Sequence, residues 1–450
     1  MKRKFDLIVI GSGTAASTVA SLCRSEAWEV AIIDSRPFGG TCALRGCDPK
    51  KVLVGAAELI DWMRRMIGHG IDSPYARIDW SDLMRFKRSF TEPVPSSREE
   101  SFARMGIQAF HQRAHFLDRT TVQQGEDVLE GRHILIASGA TPKKLNIPGE
   151  QYISTSDTFL ELERLPLQII FIGGGYISFE FAHIAARVGS DVTILHRGQL
   201  PLEGFDPDLV RKLVEATDRL GIRVELLTQV KAIEKAGQKL SVIATRQGER
   251  EVFNADLVIH GAGRVAKIAD LNLAAAGIQA QECGVQVNDY LQSVSNPAIY
   301  AAGDAAASSL PKLTPVAAYE AQIVASNLLK GNHRKVEAIM PPSIVFTVPA
   351  LASVGLSEHA AQQSGLRFRV NAEDTSGWYS SRRVREQCSG FKVLIEERTE
   401  RILGAHVIGP QAEELINLFA FAIQSSVPAN KLKHTLFGYP TLASDLKYMI

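Results

Sequence analysis

Two cysteines pose the first chemical question. Cys42 and Cys47 stand in Gly39-Gly-Thr-Cys-Ala-Leu-Arg-Gly-Cys-Asp-Pro-Lys-Lys51, a C-x4-C pattern. The pair, five positions apart, can form a disulfide across a distorted turn. A close pair of this kind in a chain without a secreted disulfide scaffold points to redox or metal chemistry. The spacing is wrong for the usual zinc pairs, and no second Cys or His pair completes four ligands, so no metal site is expected. Cys23 falls in a small-residue helix and reads as core. Cys283 and Cys388 are isolated and read as non-catalytic.

A redox pair needs an electron source, and the segments around it provide for one. Phe5-Asp-Leu-Ile-Val-Ile10 reads as a buried parallel strand, Gly11-Ser-Gly-Thr-Ala-Ala16 as a turn opening a helix, and Glu29-Val-Ala-Ile-Ile-Asp34 as the next strand. In this βαβ unit Gly11 permits the tight turn, Gly13 lets the backbone approach a pyrophosphate, and Ala16 lets the helix pack closely on the sheet. The helix N-terminus offers free N–H groups to the phosphates, and Asp34 can accept from a ribose diol. The pattern recurs: Leu167–Ile172 is a strand, Gly173-Gly-Gly-Tyr-Ile-Ser178 the turn and Asp191–Leu195 the next strand. Gly173, Gly175 and Tyr176 thus line a second dinucleotide turn. Where the first unit has Asp34, the second has His196 followed by Arg197. A missing acid beside an arginine suits a 2′-phosphate, so the second site leans towards NADP; the plainer reading leaves Arg197 as a solvated loop charge.

The remaining chain supports an α/β protein with two such doubly wound domains and an α+β C-terminal domain. Strand-like segments at 132–139, 256–264 and 296–304 end in small residues, the last delivering Gly303-Asp304. After Asn332 the pattern changes to hairpin-like strands at 343–347, 352–355, 390–395 and 402–409, then an apolar helix from about 412 to 425, with 332–341 as linker. The chain has 450 residues, 45% apolar and 22% charged, which excludes disorder and a single small module. Fifty Lys and Arg against 49 Asp and Glu provide no general electrostatic case for nucleic acid or an anionic membrane. No apolar run approaches a spanning helix and no export signal is read, so a cytoplasmic location is expected.

With these motifs in view, the sequence resembles the class I pyridine nucleotide-disulfide oxidoreductases, which include glutathione reductase, dihydrolipoamide dehydrogenase and mercuric reductase. The marks are Gly-Ser-Gly at 11–13, the 39–51 segment, Ala-Ser-Gly at 137–139, Gly-Gly-Gly-Tyr-Ile-Ser-Phe-Glu at 173–180, Gly-Arg at 263–264 and Ala-Gly-Asp at 302–304. The resemblance implies FAD in domain 1–148 plus 265–331, NAD(P)H in domain 149–264, and a dimerisation domain over 332–450 of a homodimer. It implies that Gly40, Thr41, Lys51, Ser138, Gly139 and Asp304 join the first turn and Asp34 around FAD, and Gly263 the second site. Cys47 would be the thiolate under the flavin and Cys42 the thiol that meets the acceptor. Lys50 and Glu180 match the pair near flavin N5, and Tyr176 matches the ring that covers the nicotinamide pocket. A structural ion pair and a packing ring are the plainer readings of these three.

Two departures bear on the acceptor. The family carries His-Pro-Thr and then glutamate near its end, the imidazole serving the other subunit as acid–base. Here Tyr439 holds the histidine position and Ser444 the glutamate position, with Asp445 next and His434 five residues upstream of Tyr439. A phenol of pKa ~10 is a poor base at neutral pH. Mercuric reductases also carry tyrosine there but add a C-terminal Cys-Cys, which this chain lacks. The second departure is Glu203, where a glutathione-reductase-like pattern has another arginine, so the NADPH preference is expected to be modest. The leading expectation is an NADPH-dependent reductase of a disulfide acceptor. The alternatives are a reductase of a soft metal ion and a flavin-bound redox sensor with little turnover.

Overall fold

The structure, a computed structural model, describes residues 2–450. The chain divides into two compact units, one made of 1–50, 86–143 and 264–339, the other of 51–85, 144–263 and 340–450. The sequence reading treats 149–264 and 332–450 as separate domains; in the structure both fall largely in the second unit.

In the first unit, strand Lys2–Ile10 lies between Val30–Ile33 and Asp127–Ile136, all parallel, with Gln108–Phe110 outside Val30–Ile33. Strand Ile299–Ala301 pairs in parallel with Asp127–Ile136, and the antiparallel strands Thr121–Gln124 and Ala114–Phe116 complete the sheet. The strand residues Leu7, Ile8, Val9, Val30 and Ile32 are fully buried, as a sheet covered on both faces demands. Helix Thr14–Ser25 follows the glycine turn with Ala15, Ala16, Val19 and Ala20 buried. Gly11 has φ +112°, and a Cβ there would stand 2.2 Å from the carbonyl oxygen of Ala137, so no other residue fits this turn.

The second unit repeats the plan. Its parallel sheet runs Arg223–Glu225, Asp191–Leu195, Gln168–Ile172, Leu257–His260, with helix Tyr176–Val188 after the turn. A three-stranded antiparallel sheet over residues 228–255, not anticipated from the sequence, is inserted between Arg223–Glu225 and Leu257–His260. The C-terminal part is a five-stranded antiparallel sheet in the order 343–345, 350–355, 402–409, 390–396, 368–374. Helix Ala412–Gln424 packs its buried face, Leu415, Ile416 and Phe419, on the sheet. Buried Phe159, Phe171, Phe179 and Ile194 share one core with Val345, Leu351 and Ile408, the physical reason these stretches form a single unit. Lys392 is buried in this unit with its ammonium 2.9 Å from Asp206 and 3.2 Å from Glu358.

Candidate active site

The cysteine loop is two helices with a break. Helix Gly40–Arg45 carries Cys42, and helix Cys47–Met66 begins at the second cysteine. Five residues of regular helix would turn the two side chains about 140° apart. Gly46, at φ −148° and ψ −115°, interrupts the helix, and a Cβ there would lie 2.9 Å from the Thr41 carbonyl oxygen. The break realigns the sulfurs. Both cysteines are free thiols, and both face one hydroxyl: Thr314 Oγ1 donates to Cys42 Sγ at 3.3 Å and lies 3.5 Å from Cys47 Sγ. Thr314 opens helix Thr314–Lys330, whose positive end favours a thiolate.

The two thiols are driven apart electrostatically. Cys47 is lowered to about 6, chiefly by the hydrogen bond from Cys42, with Thr314 and the charge of Lys50 adding to it against burial. Cys42 is raised, first by that same hydrogen bond and then by burial. The reduced pair is therefore one thiolate, Cys47, and one protonated thiol, Cys42. Cys23 and Cys388 are buried and pushed up to about 12 by desolvation, which disfavours their thiolates; Cys23 lies in the core as expected. Cys283 is exposed on a hairpin turn.

The first glycine turn meets this loop directly. A Cβ on Gly40, at φ +73°, would lie 2.5 Å from the Cα of Gly13, so the backbones touch. Asp34 Oδ2 accepts from Ser12 Oγ at 2.7 Å and its Oδ1 from the Arg36 amide at 3.0 Å, which fixes the carboxylate at the end of its strand. Ser138 Oγ donates to the Lys267 carbonyl, and Gly139, at φ +74°, faces open space. Asp304 sits in the turn Gly303–Ala305; burial raises its carboxyl, against the charges of Arg264 and Lys312. A bare-backbone cradle, a helix N-terminus and a fixed acid fit a dinucleotide with a free ribose diol. Thr41 is exposed beside Cys42.

In the second turn Gly173 has φ +107°, with the Gly261 carbonyl oxygen 2.5 Å from a would-be Cβ, and a Cβ on Gly175 would lie 3.4 Å from the same oxygen. Gly263, at φ +103°, has nothing within 4 Å of such an atom, so this cradle is also open and fits a pyrophosphate. Tyr176 is exposed at the first position of its helix. His196 is buried: Nδ1 accepts from the Gly174 amide at 3.1 Å, and Nε2 faces the Leu200 carbonyl at 3.1 Å. Desolvation lowers it, so the ring is a neutral brace of the turn; Arg197, which follows it, is exposed.

Other expected residues are placed as follows. Lys50 is buried. Glu180 is buried in helix Tyr176–Val188, and its Oε1 accepts from the Phe346 amide at 2.9 Å. The ammonium of Lys51 is held by Glu58 at 3.1 Å and Glu413 at 3.6 Å and lies over the Phe346 ring. Tyr439 is 82% exposed. Ser444 completes the capping box of helix Leu442–Met449 with Thr441, and Asp445 accepts from Ser380. His434 caps a short helix, its Nδ1 facing the Asn430 carbonyl at 2.8 Å. The sequence reading did not single out Thr314, although Leu-Thr-Pro is a helix-start signal, or Asp48, whose Oδ1 accepts from Cys42 Sγ at 3.8 Å. Among the described residues no cluster suited to a metal ion occurs, and no helix is long and apolar enough to cross a membrane.

The family model for pyridine nucleotide-disulphide oxidoreductases matches residues 5–321, and that for the family's dimerisation domain matches 341–450. A glutathione reductase of Burkholderia cepacia is 32% identical over 445 residues, covering 99% of this chain and 98% of the relative. A mercuric reductase of Lysinibacillus sphaericus is 30% identical over 447 residues, covering 98% of this chain and 81% of the relative. Among solved structures, the Cu(II) complex of the HOCl-induced flavoprotein disulfide reductase RclA from Escherichia coli superimposes with a TM-score of 0.89 at 25% identity, covering 99% of both chains.

Proposed function

Because the chain belongs to the pyridine nucleotide-disulphide oxidoreductase family, we propose that it draws electrons from NADPH through FAD into the Cys42–Cys47 pair and delivers them to a disulfide acceptor. The observation that carries this is the split of the pair into a thiolate and a protonated thiol around Thr314. When bound, FAD supplies hydride acceptance from the nicotinamide and delivery of an electron pair to the disulfide. The chain's residues do the rest. Cys42 gives its proton to solvent and attacks one sulfur of the acceptor; the acceptor's S–S bond breaks, a mixed disulfide forms, and the thiolate that leaves takes up a proton from solvent. Cys47 then attacks Cys42 Sγ, the second thiolate leaves, and the Cys42–Cys47 disulfide is restored. Cys47 suits the second step because it is already a thiolate at neutral pH.

We assign FAD to 1–148 with 265–331, the nicotinamide nucleotide to 149–264 and dimerisation to 332–450. Lys50 favours negative charge on reduced flavin; Asp34 and Asp304 hold the FAD ribose and the ribityl–pyrophosphate region. Tyr176 covers the nicotinamide pocket, and Arg197 selects the 2′-phosphate, opposed by Glu203. A homodimer accounts for the exposed Leu436, Tyr439, Phe421 and Tyr448, and brings Tyr439 to the partner's cysteine pair. Five free cysteines suit the reducing cytoplasm.

One feature favours a second reading. Tyr439 replaces the imidazole that would protonate a leaving thiol, and reduction of a soft metal ion needs no such proton. Steady-state oxidation of NADPH against a panel of disulfides, Hg(II) salts and quinones separates the readings. Multiple turnover on a disulfide supports the first, turnover on the metal salt alone the second. Stoichiometric reduction without turnover on any acceptor refutes both and leaves a redox sensor.

A further inference from the structure

The residue after Cys47 is an acid. Asp48 lies in the first turn of helix Cys47–Met66, exposed, and its Oδ1 is 3.8 Å from Cys42 Sγ. An acid in a first turn stabilises its helix through the dipole wherever it points; that role does not require contact with the attacking sulfur. Cys47 and Asp48 both act on Cys42 as negative charges, whereas on Cys47 the Lys50 charge opposes that of Asp48. Arg45, between the cysteines, exerts its charge on Lys267 together with Asp34, Arg36 and Arg113, on the ribose side of the first turn. On the dimer reading the group brought to Cys42 from the partner is Tyr439, a neutral phenol. The acceptor site thus carries a fixed negative charge beside the attacking sulfur.

We propose that Asp48 is a specificity-determining residue that filters acceptors by charge, so that the natural acceptor is a disulfide with neutral or cationic groups next to its sulfurs and anionic disulfides are disfavoured. This rests on the disulfide reading above and narrows it to a substrate class. When an acceptor sulfur reaches Cys42, a charge on its adjacent carbons comes within ~5 Å of the carboxylate, where one unit charge changes the rate about four-fold in a water-like dielectric. The effect is Coulombic, so added salt must weaken it.

The test compares three small disulfides of similar size: cystamine (cationic), hydroxyethyl disulfide (neutral) and dithiodipropionate (anionic). With holoenzyme and NADPH, kcat/KM is expected to fall in that order, and the cystamine-to-dithiodipropionate ratio to collapse at least about ten-fold in Asp48→Asn. Asp48→Glu, which keeps the charge, should keep the order, and high salt should compress it in the wild type. A purely helix-stabilising role would lower the melting temperature of Asp48→Asn without moving the ratio. A second readout needs no turnover: the rate at which Cys42 is trapped as a mixed disulfide in Cys47→Ser, followed by intact mass, should sort the reagents by charge in the same way. A ratio unchanged in Asp48→Asn, or a wild type that favours the anionic disulfide, overturns the filter and leaves the reductase reading standing. Absence of turnover on every disulfide, with trapping rates still ordered by charge, overturns the reductase reading and retains the filter at Cys42.

Discussion

The low pKa of Cys47 can be dismantled one hydrogen bond at a time. Its ordinary value is ~8.5, and the structure holds it at about 6, first through Cys42 and then through the Thr314 hydroxyl and Lys50. A hydrogen bond to a charged group is worth ~1.5–3 kcal/mol. The residue is solvent-exposed, so screening calls for a discount to about 1 kcal/mol, or ~0.7 of a pKa unit. Thr314→Val should therefore raise the Cys47 midpoint by somewhat under one unit. Cys42→Ala should raise it further, because Cys42 is the larger cause. The sign is fixed: a depressed thiol is a thiolate above its midpoint and loses that charge as pH falls through it. At pH 7 the wild type is about nine-tenths thiolate, and a variant with a midpoint of ~7.5 about one-quarter. Ultraviolet thiolate absorbance of the reduced protein, titrated in a Cys283→Ser background, reads this directly. Cys23 and Cys388, held up to about 12, stay silent in that range. A wild-type midpoint near 8.5, or a midpoint near 6 left unmoved by both substitutions, would refute the account of the site.

Three further outcomes are expected. Gly40→Ala places a Cβ 2.5 Å from the Gly13 Cα at φ +73°, so the purified protein should lose FAD; an unchanged flavin-to-protein absorbance ratio would contradict the cradle. Arg197→Ala should raise KM for NADPH by about ten-fold or more through loss of a charge-assisted contact, with little change for NADH; equal effects on both nucleotides would show that Arg197 does not read the 2′-phosphate. Lys392→Met leaves the fully buried Asp206 without its cation and should cost ~3–5 kcal/mol in urea unfolding, whereas a loss below ~1 kcal/mol would mean the network contributes little.

What the sequence alone determined is what depends on neighbours along the chain. Strand, glycine turn and helix follow one another within some thirty residues in each βαβ unit, and apolar runs such as Phe5–Ile10 and Asp191–Leu195 fall on strands Lys2–Ile10 and Asp191–Leu195. The cysteine pair, the acid at 34 and its absence at 196 were legible for the same reason. The antiparallel strands over 228–255 were not, because alternating polar residues such as Lys235, Lys239 and Glu249 carry little apolar signal. The state of the dithiol was decided by tertiary structure: Thr314 reaches Cys42 from 272 positions away, and Asp48 turns towards Cys42 only because Gly46 breaks the helix between them. His196 is a position the sequence marks for recognition, yet folding spends both ring nitrogens on Gly174 and Leu200. Lys51 lies within a family motif, yet its charge is taken up by Glu58 and by Glu413 from the far end of the chain. Spacing along a chain fixes which residue types are available to a site. Which of them keep a free charge or proton is set by contacts between segments remote in sequence, because a buried polar group must be satisfied by whatever the fold packs against it.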